Sequence, residues 1–136
     1  MSRVHVIAIL VTVLAFVVVD AVWLALVAGR MFRATLGSLI RDRPDMAAAA
    51  AFYALYALGM FVLVLLPALR AGSVTDAVWL GAVLGLTAYA TFDLSNMAVL
   101  AGWTWRLALA DMAWGTFATA LACGAGVASG LALGAR

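Results

Sequence analysis

The sequence predicts an all-α integral membrane protein, a four-helix bundle, and three observations carry that prediction. Hydrophobic residues make up 68% of the chain and charged residues only 10%, against roughly 25% charged in a soluble domain. The apolar residues gather into four runs, each close to the roughly 20 residues that cross a bilayer. Short stretches of Gly, Pro and Arg separate the runs. Residues 1–136 therefore read as a single transmembrane domain.

The first span is expected over Val4–Ala28, closed by Gly29-Arg30. Its apolar run is too long for the core of a signal peptide and is interrupted by Asp20, so it is read as a retained helix. Loop one follows, with Arg30, Arg33, Arg41 and Arg43 interleaved with Met31, Phe32, Leu36, Leu39 and Ile40. That spacing suits a short amphipathic segment lying in the interface. A solvated basic loop is the alternative.

The second span, Met46–Leu69, starts after Pro44-Asp45 and is expected to close at Pro67 and Gly72-Ser73. Thr75-Asp76 is the expected cap of the third span, Ala77–Leu100. The turn 102–106 leads to the fourth span, Leu107–Leu133, with Trp103 and Trp105 placed to anchor it at the headgroup level.

Charge placement sets the expected topology. Five of the eight basic residues (Arg30, Arg33, Arg41, Arg43, Arg106) fall in loops one and three. Arg3, Arg70 and Arg136 fall at the other end. Basic loops stay cytoplasmic, so a multi-pass protein of the bacterial inner membrane with both termini outside is expected.

Several chemistries are excluded at this level. The single cysteine, Cys123, leaves no internal disulfide and no redox pair. The single histidine, His5, lies far from every intramembrane acid. No haem, zinc or di-iron ligand set is present, so no metal and no cofactor are expected. Nucleic acid binding has no support, because the arginines are few and tied to topology.

The informative residues are three aspartates inside the apolar runs: Asp20, Asp93 and Asp111. A carboxylate in hydrocarbon is costly, normally faces the bundle interior and marks a functional site. Alternating span direction puts loops one and three on the same side. Asp20 and Trp23 lie near the end of the first span, and Tyr53 and Tyr56 near the start of the second. Tyr89, Asp93 and Asn96 lie near the end of the third, and Asp111 and Trp114 near the start of the fourth. All of these ligand-binding candidates thus share one half of the bilayer.

Gly81, Gly85, Tyr89 and Asp93 recur at four-residue intervals and form one stripe. Small residues at this spacing let helices approach closely, so Asp93 is expected to point into the bundle. Ala118, Ala122, Gly126, Gly130 and Gly134 repeat the device on the fourth span. A tight pairing of spans three and four is expected. Gly126, Gly130 and Gly134 serve packing within the monomer or the seam of a homodimer. Like charges at low dielectric repel, so at least one of the acids is expected to be hydrogen-bonded to another acid, to Asn96 or to a tyrosine hydroxyl.

The motifs Asp20-x-x-Trp23-Leu24, Phe52-Tyr53-x-x-Tyr56, Tyr89 to Asn96 and Asp111-x-x-Trp114-Gly115 resemble those of DUF2177, a bacterial family of small predicted membrane proteins. The resemblance covers nearly the whole chain in the same motif order. Phe92 and Ser95 depart from the family pattern, which carries Tyr and Thr there. The resemblance implies the fold and the polar positions and implies no activity.

The expected function is binding of, or action on, a membrane lipid or other amphipathic ligand at an acidic and aromatic site near the cytoplasmic leaflet. A proton- or cation-coupled transporter is one alternative. A non-catalytic partner subunit of a membrane enzyme, docked at the basic loop 30–43, is the other.

Overall fold

The computed structural model describes residues 2–134. Arg136, counted above among the outer-side basic residues, lies outside them. Four helices are long and apolar enough to cross a membrane: α1 (Arg3–Leu39), α2 (Met46–Ala71), α3 (Val74–Val99) and α4 (Trp105–Gly134). The four-helix prediction is met. Contacts fix an up-down-up-down order. Gly126 of α4 meets Ala8 and Thr12 of α1, and Gly134 meets Val4, while Asp111 meets Trp23. Gly85 of α3 meets Gly115 and Thr119 of α4. Loops one and three therefore share one end of the bundle.

One expected helix end does not occur, and another falls at the second of its two expected signals. Gly29-Arg30 does not close α1. Gly29 keeps helical angles (φ −56°, ψ −39°), and the helix runs on with a π-helical stretch at Leu24–Ala28. The wider turn brings the Leu24 carbonyl oxygen to within 2.6 Å of where a Cβ on Gly29 would sit. Glycine is thus used here for its missing side chain, and the α-helical part of α1 stops at Gly37, whose φ is 53°, leaving one 3-10 turn to Leu39. The amphipathic segment is the last part of α1 and not a separate helix. At 1.5 Å per residue α1 is about 55 Å long, well beyond the roughly 30 Å hydrocarbon layer, so Arg30 and Arg33 emerge from it.

Pro67 likewise lies inside α2, directly after a second π-helical stretch at Met60–Leu65. Proline lacks the N–H for an i→i−4 bond and crowds the carbonyl of that residue. The widened turn before it relieves both conflicts. α2 ends at Gly72, left-handed at φ 63°, with Ser73 N–H returning to the Ala68 carbonyl at 3.0 Å. Ser73, and not Thr75-Asp76, caps α3: its Oγ accepts from Asp76 N–H at 3.1 Å. Asp45 caps α2, accepting from the amides of Ala47 and Ala48.

The most extensive helix pairing is α3 with α4, as expected, followed by α1 with α4. The two small-residue stripes do not face each other. Gly81 and Gly85 pack on Gly115, Thr119, Ala120 and Cys123, whereas Gly126, Gly130 and Gly134 pack on Val4, Ala8 and Thr12 of α1. The glycines of α4 are thus occupied within the monomer. α2 is held differently. Met60–Ala71 approaches the other helices closely, but over Met46–Gly59 only Tyr56 is buried.

Gly126→Ala should destabilise the fold by about 1–3 kcal/mol, because a Cβ there meets Thr12 Oγ1 and the Ala8 carbonyl. Gly59→Ala, where a Cβ meets nothing within 4 Å, should be neutral or stabilising by up to about 1 kcal/mol. Unfolding by dodecyl sulfate in mixed micelles separates the two. Equal losses would refute the close approach of α4 to α1.

Candidate functional site

The site begins with three carboxylates that have few water molecules to solvate them. Asp93 is fully buried, and Asp20 and Asp111 are 5% and 7% exposed. A polar group removed from water must be hydrogen-bonded or it costs several kcal/mol. In all three cases the hydrogen-bonding side chain is aromatic. Tyr53 OH donates to Asp20 Oδ2, and Tyr89 OH lies 3.5 Å from Asp20 Oδ1. Trp23 Nε1–H donates to Asp111 Oδ1 at 3.3 Å. Trp103 Nε1–H donates to Asp93 Oδ1 at 3.3 Å.

The acids form a row. The carboxyls of Asp93 and Asp111 are neighbours, on facing helices, and Asp20 is reached across Tyr89. Asp93 Oδ2 has no hydrogen-bond partner among the described residues. Each acid is aimed by its helix. Asp93 follows the buried Gly81–Gly85 edge of α3, as its spacing predicted. Asp111 lies one turn before Gly115, whose missing Cβ leaves room for the Tyr89 ring. Asp20 follows Ala8, Thr12 and Phe16 on the buried face of α1.

A cavity of about 510 Å³ opens in front of Asp20 and Asp111. All four helices line it: Trp23, Leu24 and Phe32 from α1, Phe52 and Tyr53 from α2, Tyr89 and Phe92 from α3, and Asp111 from α4. It exists because the first half of α2 stands off from the bundle. Phe52 and Phe92 are 45% and 49% exposed, so the rim is open to the outside of the bundle while the acids sit at the floor. Trp23 is held rigid by stacking on Trp114 at 4.7 Å and 7°.

The structure divides the nine residues expected at the site. Asp20, Trp23, Tyr53, Tyr89 and Asp111 line the cavity. Asp93 stands behind Asp111, and Trp114 stands behind Trp23. Tyr56 lies deeper and shares a 2.7 Å hydrogen bond with Thr119 rather than with an acid. Asn96, one turn beyond Asp93, is half-buried and outside the lining.

Six lining residues were not among those expected at the site: Leu24, Phe32, Ala49, Phe52, Ala88 and Phe92. Nor was the inward role of Trp103, which was expected to serve as a headgroup anchor. Phe32 and Phe92 both pack edge-on against Trp103. Gly102, with φ 97°, makes the sharp turn that sends Trp103 back over Asp93. A buried acid ten residues before a loop tryptophan was the available signal.

Fold and cavity together define a multi-pass α-helical membrane protein with an aromatic-walled pocket, floored by two aspartates, at one end of its bundle. The family follows from the chain itself. Residues 5–128 match the family described as predicted membrane protein (DUF2177), and the chain belongs to it. No curated protein and no solved structure matches the chain.

Trp103→Phe should destabilise the fold by about 1–3 kcal/mol, because it strips Asp93 of its donor. Adding Asp93→Leu should recover most of that loss, since removing both partners costs far less than removing one. Additive losses in the double variant, measured by the same unfolding assay, would mean that the pair does not interact.

Proposed function

We propose that the protein binds an amphipathic, membrane-dissolved molecule, with the polar end of that molecule at Asp20 and Asp111 and its apolar body against the aromatic walls. The observation that carries this reading is the cavity of about 510 Å³, a size typical of small-molecule sites. Its chemistry is acceptor-rich. The carboxylates contribute oxygens, and the tyrosine and indole donors nearby are already turned to those carboxylates. No arginine or lysine is among the lining residues. The fitting polar end therefore brings its own donors, as hydroxyl or ammonium groups. A phosphate end meets repulsion.

A through-going transport path has less support. Beyond the Tyr56–Thr119 hydrogen bond the interior is filled by Met60, Val64, Leu65, Ala68, Ala77, Cys123 and Val127, all buried. Among the described residues the one buried polar side chain in the other half is Thr12, packed against Gly126, and a single hydroxyl does not line a path. The arginines Arg30, Arg33, Arg41, Arg43 and Arg106 at the cavity end support the cytoplasmic leaflet of a bacterial plasma membrane as its side.

Native mass spectrometry of protein extracted in mild detergent is the test. The wild type should carry a bound lipid-like molecule bearing hydroxyl or amino groups. Asp20→Asn and Asp111→Asn should each lower its occupancy by roughly tenfold, the effect of one charge-assisted hydrogen bond. Wild-type protein without any bound molecule, or variants with undiminished occupancy, would overturn the reading.

A further inference from the structure

The half of α2 that walls the cavity is held on unlike the rest of the bundle. Over Met46–Gly59 the only buried residue is Tyr56. Two hydroxyl contacts tie this half to its neighbours: Tyr53 to Asp20 of α1, and Tyr56 to Thr119 of α4 at 2.7 Å. Phe16 adds a ring contact to each tyrosine, at 6.3 and 5.0 Å. Met60–Ala71 differs: Met60, Val64, Leu65 and Ala68 are all buried and hold this half firmly. The change from loose to firm falls at the π-helical stretch Met60–Leu65, with Gly59 just before it in open space. π-helical turns are points where helices bend and commonly accompany functional sites. Segments with few buried apolar contacts are the first to move.

We propose that Met46–Gly59 is a lateral gate, hinged at Met60–Leu65 and latched by the Tyr53 and Tyr56 hydroxyls, which admits the ligand sideways from the bilayer. This rests on the cavity-binding reading for the identity of what passes, but not for the motion itself. The latch is also a sensor. Tyr53 donates to Asp20, an acid at the cavity floor. A ligand hydroxyl or ammonium group arriving at Asp20 competes with Tyr53 for the same carboxylate. Loading the site and releasing the gate are therefore coupled through one side chain.

Pulsed electron–electron resonance measures the motion directly. Spin labels go on Leu55→Cys of α2 and Leu109→Cys of α4, two residues 71% and 56% exposed, in a Cys123→Ala background. The protein is held in nanodiscs of phosphatidylethanolamine and phosphatidylglycerol. A control pair at Val83→Cys and Leu121→Cys spans α3 and α4. Tyr53→Phe combined with Tyr56→Phe should raise the long-distance population of the first pair by roughly tenfold, the effect of losing two ordinary hydrogen bonds. The control pair should not change.

If the double variant does not fold, Tyr53→Phe alone, at a half-buried position, should move the same population by a smaller factor. A first-pair distribution that neither variant shifts overturns the gate and leaves the cavity reading standing. A gate that opens while native mass spectrometry finds no bound molecule on the wild type sinks the cavity reading and leaves the hinge.

Discussion

The bundle depends on α4 giving up side chains where it meets two other helices. In lipid there is no hydrophobic force between helices, so association rests on close van der Waals approach. α4 achieves that approach on both flanks. Gly115 leaves room for the Tyr89 ring and for the backbone at Gly85. Gly126, Gly130 and Gly134 bring it against Val4, Ala8 and Thr12 of α1. The result is a dense unit of α1, α4 and α3. The first half of α2 has no equivalent: its large side chains Phe52, Leu55 and Leu58 remain exposed to lipid. The cavity is the space left by that asymmetry.

The second constraint is how three acids survive in hydrocarbon. A basic partner for each would have neutralised the site. Tyrosine and tryptophan solve the same problem with an apolar body and one polar atom. Each donor packs as part of the wall and still satisfies a carboxylate. Because the donors are neutral, the acids keep their acceptor character toward whatever enters. The same choice makes Tyr53 both a structural support of α2 and part of the cavity lining.

Much of this was legible from residue spacing. The four spans, the shared end of the polar residues and the inward stripe through Gly81, Gly85 and Asp93 follow from run length, alternation and the helical repeat, which are local properties. The errors have local causes too. Gly29 and Pro67 look like stops, yet both lie within continuous helices because a π-helical stretch beside each absorbs the conflict. Asn96 shares a face with Asp93 and lies outside the cavity lining.

The sequence by itself determined that the chain is a membrane bundle, which end holds its acids, and which side chains lie at matching depth. Depth and face are set by the rise and the repeat of a single helix. Only the tertiary structure decided which acid meets which donor, that the α4 glycines are used on α1, and that Phe32, Phe52, Phe92 and Trp103 close around the acids. Those outcomes depend on how far apart the helices stand and how each is rotated about its axis, and helix separation is fixed by the residues of two chain segments acting together.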